Sequence, residues 1–172
     1  MSSGGYSLSQ AKYASNLLAH LGITNSAIAP TPLDPNVRLT SFNGVSLEDA
    51  SLNRRLVCSL IYLTVTRPDI AYVVHIINQF MVVPRIIHFI TVLRILRYVK
   101  GTLRHGLQFS LRSSLVLSGY SDANWAGSLI DRRSTLGYCF YLGDSFISCQ
   151  SKKQSIVSQS LNITPRLMLC QN

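Results

Sequence analysis

The chain has 172 residues, of which 47% are hydrophobic and 13% are charged. This composition is too apolar for a disordered chain, and its apolar stretches are shorter than the roughly 20 residues that a membrane-spanning helix needs. Lysine and arginine number 16 against 7 acidic residues, and the formal charge of +9 predicts an anionic partner, with nucleic acid as the first candidate. A basic protein without such a partner is the alternative.

The first elements in chain order are a helix and a long loop. Apolar residues recur at helical spacing over residues 7–22 and predict a short helix, which Gly22 ends. Three prolines between residues 23 and 45 favour extended backbone, so this stretch is predicted to be a loop.

Two apolar helices are predicted next. Ser46 and Asp49 have the spacing of a capping box and predict that the second helix begins there. This helix is apolar nearly all round, so it is expected to be buried. The charged segment 67–69 contains a proline and breaks it, and a third helix is predicted over Ile70–Val83.

The fourth predicted helix, over residues 85–100, is the clearest amphipathic element. Its apolar residues repeat at three and four positions, and Gly101 marks its end. The opposite flank carries the basic side chains Arg94, Arg97 and Lys100. Four aromatic residues of the helical part are interpreted as core: Tyr62, Tyr72, Phe80 and Phe89.

The pattern changes after Leu107, where short alternating runs and turn residues replace helical periodicity. These runs predict three antiparallel strands, Leu115–Ala123, Ser134–Leu142 and Ser145–Gln150, with turns at Asp131–Arg133 and Gly143–Asp144. The predicted fold class is therefore α+β: a helical part over about residues 7–106, followed by an incomplete three-stranded sheet.

The four cysteines show no metal-ligand spacing. If Gly143–Asp144 is a two-residue turn, Cys139 faces Ser148, and Cys149 lies one position away on the other face of the hairpin. No disulfide is therefore expected between these cysteines. Reduced thiols, and a start without the features of a secretory signal, predict an intracellular protein.

Asp122 is the first candidate for chemistry. It lies on a predicted strand beside a small residue and close to aromatic residues, within Tyr120–Gly127, and its carboxylate could bind a metal ion. A capping or turn role is the alternative for an aspartate near the end of a strand.

Several ordered motifs around Asp122 resemble the ribonuclease H domain of copia-type LTR retrotransposons: Gly119–Gly127, Asp131–Thr135, Gly137–Tyr138, Leu142–Asp144 and Ser151–Gln154. Upstream, Leu56–Ile70 and Arg94–Thr102 resemble the part of the same polyprotein that follows the polymerase palm. The resemblance covers about residues 7–160. It implies a thumb- or connection-like end of a reverse transcriptase over 1–110, the start of a ribonuclease H over 111–160 and an aberrant tail over 161–172.

The resemblance also implies what the chemistry requires. A ribonuclease H uses two magnesium ions held by a carboxylate cluster, and Asp122 matches the first carboxylate of that cluster. The acidic residues that follow Asp122 in the sequence are Asp131 and Asp144, and both lie in predicted turns. The region where the resemblance implies the next glutamate, residues 160–166, contains no acid. The chain also has no Asp-Asp pair for polymerase chemistry, so we expect neither activity and no stably bound magnesium.

The sequence of the tail suggests a hypothesis for the absence of the second carboxylate. The genetic code allows residues 161–172 to be read in a shifted frame that resembles a glutamate-bearing helix of the family. A frameshift would then have removed the second ligand. The encoding nucleotide sequence decides the matter, because a shifted frame without an acidic helix rules the hypothesis out.

Basic residues form the second candidate site. The run Arg94, Arg97, Lys100 and Arg104 could follow a phosphate backbone, and four further residues could extend it: Arg132, Arg133, Lys152 and Lys153. A solvated face of a buried helix is the alternative.

The sequence thus predicts an inactive remnant of a retrotransposon reverse transcriptase and ribonuclease H. The alternatives are a module that binds RNA–DNA hybrid without catalysis, or a nuclease completed by another chain. Neither a membrane nor a small-molecule substrate is expected.

Overall fold

A computed structural model of the chain describes residues 4–42, 44–111, 113–124, 133–157 and 168–169. This part of the chain is α+β, as the sequence predicts, and it divides into two compact units. Ser9–Gly106 form a helical unit, and the described residues before Ser9 and after Gly106 form a β unit. No helix among the described residues is long and apolar enough to cross a membrane.

The helical unit contains four α-helices: α1 (Ala11–His20), α2 (Ala50–Leu63), α3 (Ala71–Asn78) and α4 (Ile86–Gly101). The fourth predicted helix is confirmed almost to the residue. The predicted start of the second helix at Ser46 is wrong, because the Asp49 carboxylate caps α2 by accepting the N–H of Ser51 at 2.8 Å. Ser46 instead forms an isolated antiparallel bridge with Arg85.

The third helix is shorter than predicted. α3 ends at Asn78, and the chain turns before Pro84. The Arg54 guanidinium of α2 donates to the carbonyls of Met81 and Val82 at 3.0 and 3.1 Å. Because a side chain satisfies these carbonyls, this stretch keeps its hydrogen bonds without continuing the helix.

The core of the helical unit lies between α2, α3 and α4, with α1 adding Ala14 and Leu18. Its fully buried side chains include Val57, Leu60, Ile77, Val92, Ile95, Leu96 and Val99. The interpretation of Tyr62 and Tyr72 as core is wrong, since they are 56% and 59% exposed. Both stand on helix faces turned away from this core, whereas Phe89 is half-buried and packs against it.

The β unit contains a four-stranded antiparallel sheet in the order β5–β4–β3–β6. The three predicted strands are confirmed, with shifted ends, as β3 (Leu117–Asn124), β4 (Arg133–Leu142) and β5 (Ser145–Val157). The two-residue β6 (Met168–Leu169) pairs with β3. It falls within the predicted aberrant tail, whose other residues lie outside the described part, as do Asp131 and Arg132 of the predicted turn.

Besides β6, two short strands were not predicted. β1 (Gly5–Leu8) pairs antiparallel with β2 (Leu107–Ser110), so the predicted helix over 7–22 is wrong at its start. Four residues are too few to show a helical or a strand period, and here pairing with a partner about a hundred residues away decides the conformation. In the sequence, the whole helical unit lies between these two paired strands.

A β-bulge overturns the prediction for Cys139 and Cys149. The turn at Gly143–Asp144 pairs Tyr141 with Phe146, but the register then shifts so that Cys139 lies directly opposite Cys149. The extra residue in β5 puts both side chains on one face of the sheet, and they form a disulfide. The prediction of reduced thiols is therefore wrong at these positions, and the intracellular location inferred from it stays a prediction.

The burial pattern of α4 predicts a large difference between two isoleucines of the same helix. Ile95 is fully buried and Ile90 is 53% exposed. We expect Ile95→Ala to lower the free energy of unfolding by about 2–5 kcal/mol, because it removes buried methyl groups and leaves a cavity. The matched variant Ile90→Ala should change it by about 0.5 kcal/mol or less. Urea unfolding followed by circular dichroism at the helix band measures both, and equal losses would contradict this placement of the core.

Candidate nucleic-acid interface and candidate metal site

Asp122 lies on β3 with its side chain exposed. It is directly opposite Gly137 of β4, which in turn is opposite Ser151 of β5. Residues that face each other across strands share one face of a sheet, so these three positions form a row. The row supplies one carboxylate, one position without a side chain and one hydroxyl.

Asp144 cannot share a metal ion with Asp122. It occupies the turn that follows Leu142, the last residue of β4. Leu142 is five residues from Gly137, the position opposite Asp122, which is about 16 Å at the usual rise of a strand. Paired metal ions in nucleases lie about 4 Å apart. The described residues contain no group of three or more His, Cys, Asp or Glu side chains that could hold a metal ion. They therefore do not fit the magnesium pair that the family resemblance implies.

Arg94 on α4 holds the proline-containing loop of the helical unit. Its guanidinium donates from Nε to the Thr31 carbonyl at 3.2 Å and from Nη2 to the Thr31 hydroxyl at 3.0 Å. Nη1 contacts the Asp34 carboxylate at 3.3 Å, with both side chains partly exposed. Arg94 thus makes structural contacts with the segment between α1 and α2.

The two other basic residues of the α4 row engage protein groups as well. Lys100 donates from Nζ to the Ser26 carbonyl. Arg97 donates from Nε to the Leu93 carbonyl at 3.4 Å, and its own carbonyl accepts the N–H of Ala29. The row of Arg94, Arg97 and Lys100 therefore anchors the loop that begins at Ser26. Its predicted contact with nucleic acid stays a prediction.

The remaining predicted basic residues are divided between the two units. Arg104 is exposed in the turn that follows α4. In the β unit, Arg133 is exposed at the start of β4, and Lys152 and Lys153 are consecutive residues of β5. Consecutive strand residues point to opposite faces of a sheet, so these two lysines do not form one patch. Arg132 lies outside the described residues.

A buried network around Arg67 was missed in the sequence. Arg67 is 3% exposed, and its guanidinium pairs with the Asp69 carboxylate through two hydrogen bonds of 2.9 and 2.7 Å. It also donates to the carbonyl and the hydroxyl of Thr102, at 3.1 and 2.6 Å, and lies 5.7 Å from the centre of the Tyr98 ring. The opposite charges on either side of Pro68 could have indicated an Arg67–Asp69 pair in the sequence. The contacts with Tyr98 and Thr102 could not be predicted, because these residues lie some thirty positions away at the end of α4.

The ionisation of Asp69 and Tyr98 follows from this network. Burial opposes the charge of Asp69, but the hydrogen bonds and positive charge of Arg67 outweigh it and hold the pKa of Asp69 below its ordinary value. Burial, and then the hydrogen bond to Asp69, raise the pKa of Tyr98. Both groups thus keep the protonation states that the network needs at neutral pH.

The fold and site together define a small α+β chain with an exposed carboxylate, that of Asp122, on its sheet, and the described residues form no metal-binding group around it. Comparison with known proteins adds the relationship. The chain is 43% identical over 156 residues to the retrovirus-related Pol polyprotein from transposon RE1 of Arabidopsis thaliana. The aligned residues make up 91% of this chain and 11% of that polyprotein. It is 42% identical over the same length to the uncharacterized mitochondrial protein AtMg00810 of the same plant, covering 65% of that protein.

A third relative, the secreted RxLR effector protein 161 of Plasmopara viticola, is 44% identical over 103 residues, which are 59% of this chain and 72% of that protein. No protein-family model and no solved structure matches the chain. Homologues of this chain are thus retrovirus-related Pol polyproteins from transposons. The chain spans about a tenth of the length of the polyproteins themselves.

Two Arg–Asp pairs of the helical unit should differ in their contribution to stability. Asp69→Asn leaves the Arg67 charge buried without a carboxylate, and we expect it to lower the free energy of unfolding by about 3 kcal/mol. Asp34→Asn removes the partner of the partly exposed Arg94 and should cost less than about 1 kcal/mol. Urea unfolding of both variants at neutral pH measures the difference, and equal costs would show that burial of Arg67 is unimportant.

The lowered pKa of Asp69 also predicts acid sensitivity. The folded protein holds this carboxylate ionised more strongly than the unfolded chain does, so its stabilising contribution is present above the ordinary pKa of 3.8. The contribution is lost as pH falls below that value and through the lowered pKa. We expect wild-type stability to fall over this range more steeply than that of Asp69→Asn, and parallel profiles would contradict the assignment.

Proposed function

We propose that this chain is a remnant of a copia-type retrotransposon Pol polyprotein that joins the end of a reverse transcriptase to the start of a ribonuclease H. The helical unit corresponds to the thumb- or connection-like part, and the sheet bearing Asp122 to the first strands of the nuclease. The ordered motifs of the sequence support the copia assignment. The identity of 43% to the RE1 polyprotein over 156 residues supports its origin in a transposon.

We further propose that the remnant is catalytically inactive. The observation that carries this proposal is the row of Asp122, Gly137 and Ser151, in which the described residues provide one carboxylate where a two-metal site needs several. A single carboxylate binds magnesium weakly, because this cation retains most of its water and needs several oxygen ligands. Asp122 is then a vestigial ligand, able to take part in catalysis only if another chain supplies its partners.

The inactivity is tested by incubating the purified chain with a labelled RNA–DNA hybrid and magnesium. We expect no cleavage above the level of the Asp122→Asn variant, because that substitution removes a carboxylate that has no metal to hold. An intact ribonuclease H in the same buffer is the positive control. Magnesium-dependent cleavage that disappears in Asp122→Asn would instead support a nuclease completed by another copy or chain.

A second candidate function is binding of an RNA–DNA hybrid without catalysis. The formal charge of +9 favours it, since a strongly basic chain gains affinity for a polyanion by releasing the counterions of the phosphates. The exposure and the existing contacts of the basic side chains decide which residues to test. Arg94 and Lys100 already donate to loop groups, whereas Arg104 and Lys152 are exposed. The binding proposal therefore gives Arg104 and Lys152 more weight than the α4 row.

Salt dependence distinguishes the two groups of residues. We expect the affinity for a hybrid to fall steeply with salt, and Arg104→Ala and Lys152→Ala each to lower the log–log slope by about 0.9 if each contacts one phosphate. The matched variant Arg94→Ala should lower thermal stability with a smaller change in slope, because its guanidinium holds the loop. Affinity measured by fluorescence anisotropy at several salt concentrations checks this. Slopes that Arg104→Ala and Lys152→Ala leave unchanged would count against the binding function.

A further inference from the structure

His88 occupies an unusual position for an ionisable group. It lies in the first turn of α4 and is fully buried. Its imidazole stacks on the Phe80 ring with centroids 4.1 Å apart and an interplanar angle of 13°. Nδ1 accepts the backbone N–H of Arg85, the residue that caps the helix, at 3.0 Å. The ring therefore satisfies a donor at the start of α4, as a capping side chain does.

The same cap residue fastens a separate segment to the helix. The Arg85 guanidinium donates from Nε to the Ser41 carbonyl at 2.6 Å and from Nη1 to the Gly44 carbonyl. Two backbone hydrogen bonds of 3.0 Å, from Leu47 to Pro84 and from Ile86 to Val45, complete the attachment. We call residues 40–42 and 44–47 the docked segment.

The hydrogen bond between Arg85 and His88 exists only while Nδ1 carries no proton. A proton on Nδ1 turns it from an acceptor into a donor, which then faces the N–H of Arg85. Protonation would also place a buried positive charge beside the Arg85 guanidinium, which holds the docked segment. We propose that His88 is a proton-sensitive latch, which holds the docked segment on the start of α4 when its ring is neutral and releases it when the ring is protonated.

The charges around the ring support this direction. Burial lowers the pKa of His88 below its ordinary value of 6.5, and the positive charge of Arg85 lowers it further, although the Thr40 backbone partly offsets both. The elements packed around the ring contribute Phe80, Arg85 and Thr40, and Arg85 is the charged group among them. The stacked Phe80 face favours a cation, but it does not overcome the cost of burial.

The sign of the effect follows from proton linkage. The open state leaves His88 with its ordinary pKa, and the latched state lowers it, so the open state binds the proton more tightly. Acidification below about pH 6.5 therefore favours opening. At pH values between the ordinary and the lowered pKa, the equilibrium constant for opening should rise by about tenfold for each unit by which the pH falls.

Amide hydrogen exchange of the whole chain tests the latch. Amides of the docked segment and of Arg85–Phe89 should exchange faster at pH 5.5 than at pH 7.5, after correction for the intrinsic rates. Amides of Val92 and Ile95, in the core of α4, should keep their protection. Protection of the docked segment that does not change with pH would overturn the proposal.

Two variants identify the titrating group. His88→Gln keeps an acceptor near the Arg85 N–H but does not titrate, so it should abolish the pH dependence. His20→Gln, which changes an exposed histidine, should leave it intact. If amide exchange of the docked segment still depends on pH in His88→Gln, the effect belongs to another group and the proposal is overturned. If His88→Gln does not fold, opening of the wild-type segment must follow the titration of the His88 ring resonances, and different midpoints would equally overturn it.

Discussion

The helical unit depends on one buried guanidinium, that of Arg67, at the turn between α2 and α3. A charge in this position is tolerated only when it is paired and its donors are satisfied, and Asp69 and Thr102 meet both conditions. Because Thr102 lies at the end of α4, the network fixes that end of α4 against the α2–α3 turn. The segment 67–69 looks like a simple helix breaker in the sequence, yet it connects three helices.

The other contacts of α4 follow from that anchor. A helix fixed at one end presents its side chains at set angles and heights, so Arg94 and Lys100 reach the loop that begins at Ser26. At its first turn, the Arg85 guanidinium reaches the docked segment, while His88 accepts the N–H of Arg85. Much of the positive charge of this helix thus serves to hold irregular backbone in place. A basic helix face is therefore weaker support for nucleic-acid binding than its charge suggests.

Local patterns predicted the elements that carry long, regular periodicity. α4 and the strands β3 and β4 appear close to where hydrophobic spacing and turn residues place them. The errors occur where a distant group competes with a local preference. Asp49 rather than Ser46 caps α2, because the Ser46 backbone pairs with Arg85. One extra residue in β5 reverses the predicted relation of Cys139 and Cys149, and no turn rule reveals a bulge that lies two residue pairs beyond the turn.

The sequence by itself determined the chemical inventory: the excess of basic residues and the few carboxylates available after Asp122. Folding cannot add a carboxylate, so the number of acidic residues among these 172 could be read from the sequence alone. Only the tertiary structure decided which cations are already engaged, which face of the hairpin each cysteine occupies and where a neutral histidine is buried. These properties depend on contacts between residues tens of positions apart, and such contacts leave no periodic signal in the chain.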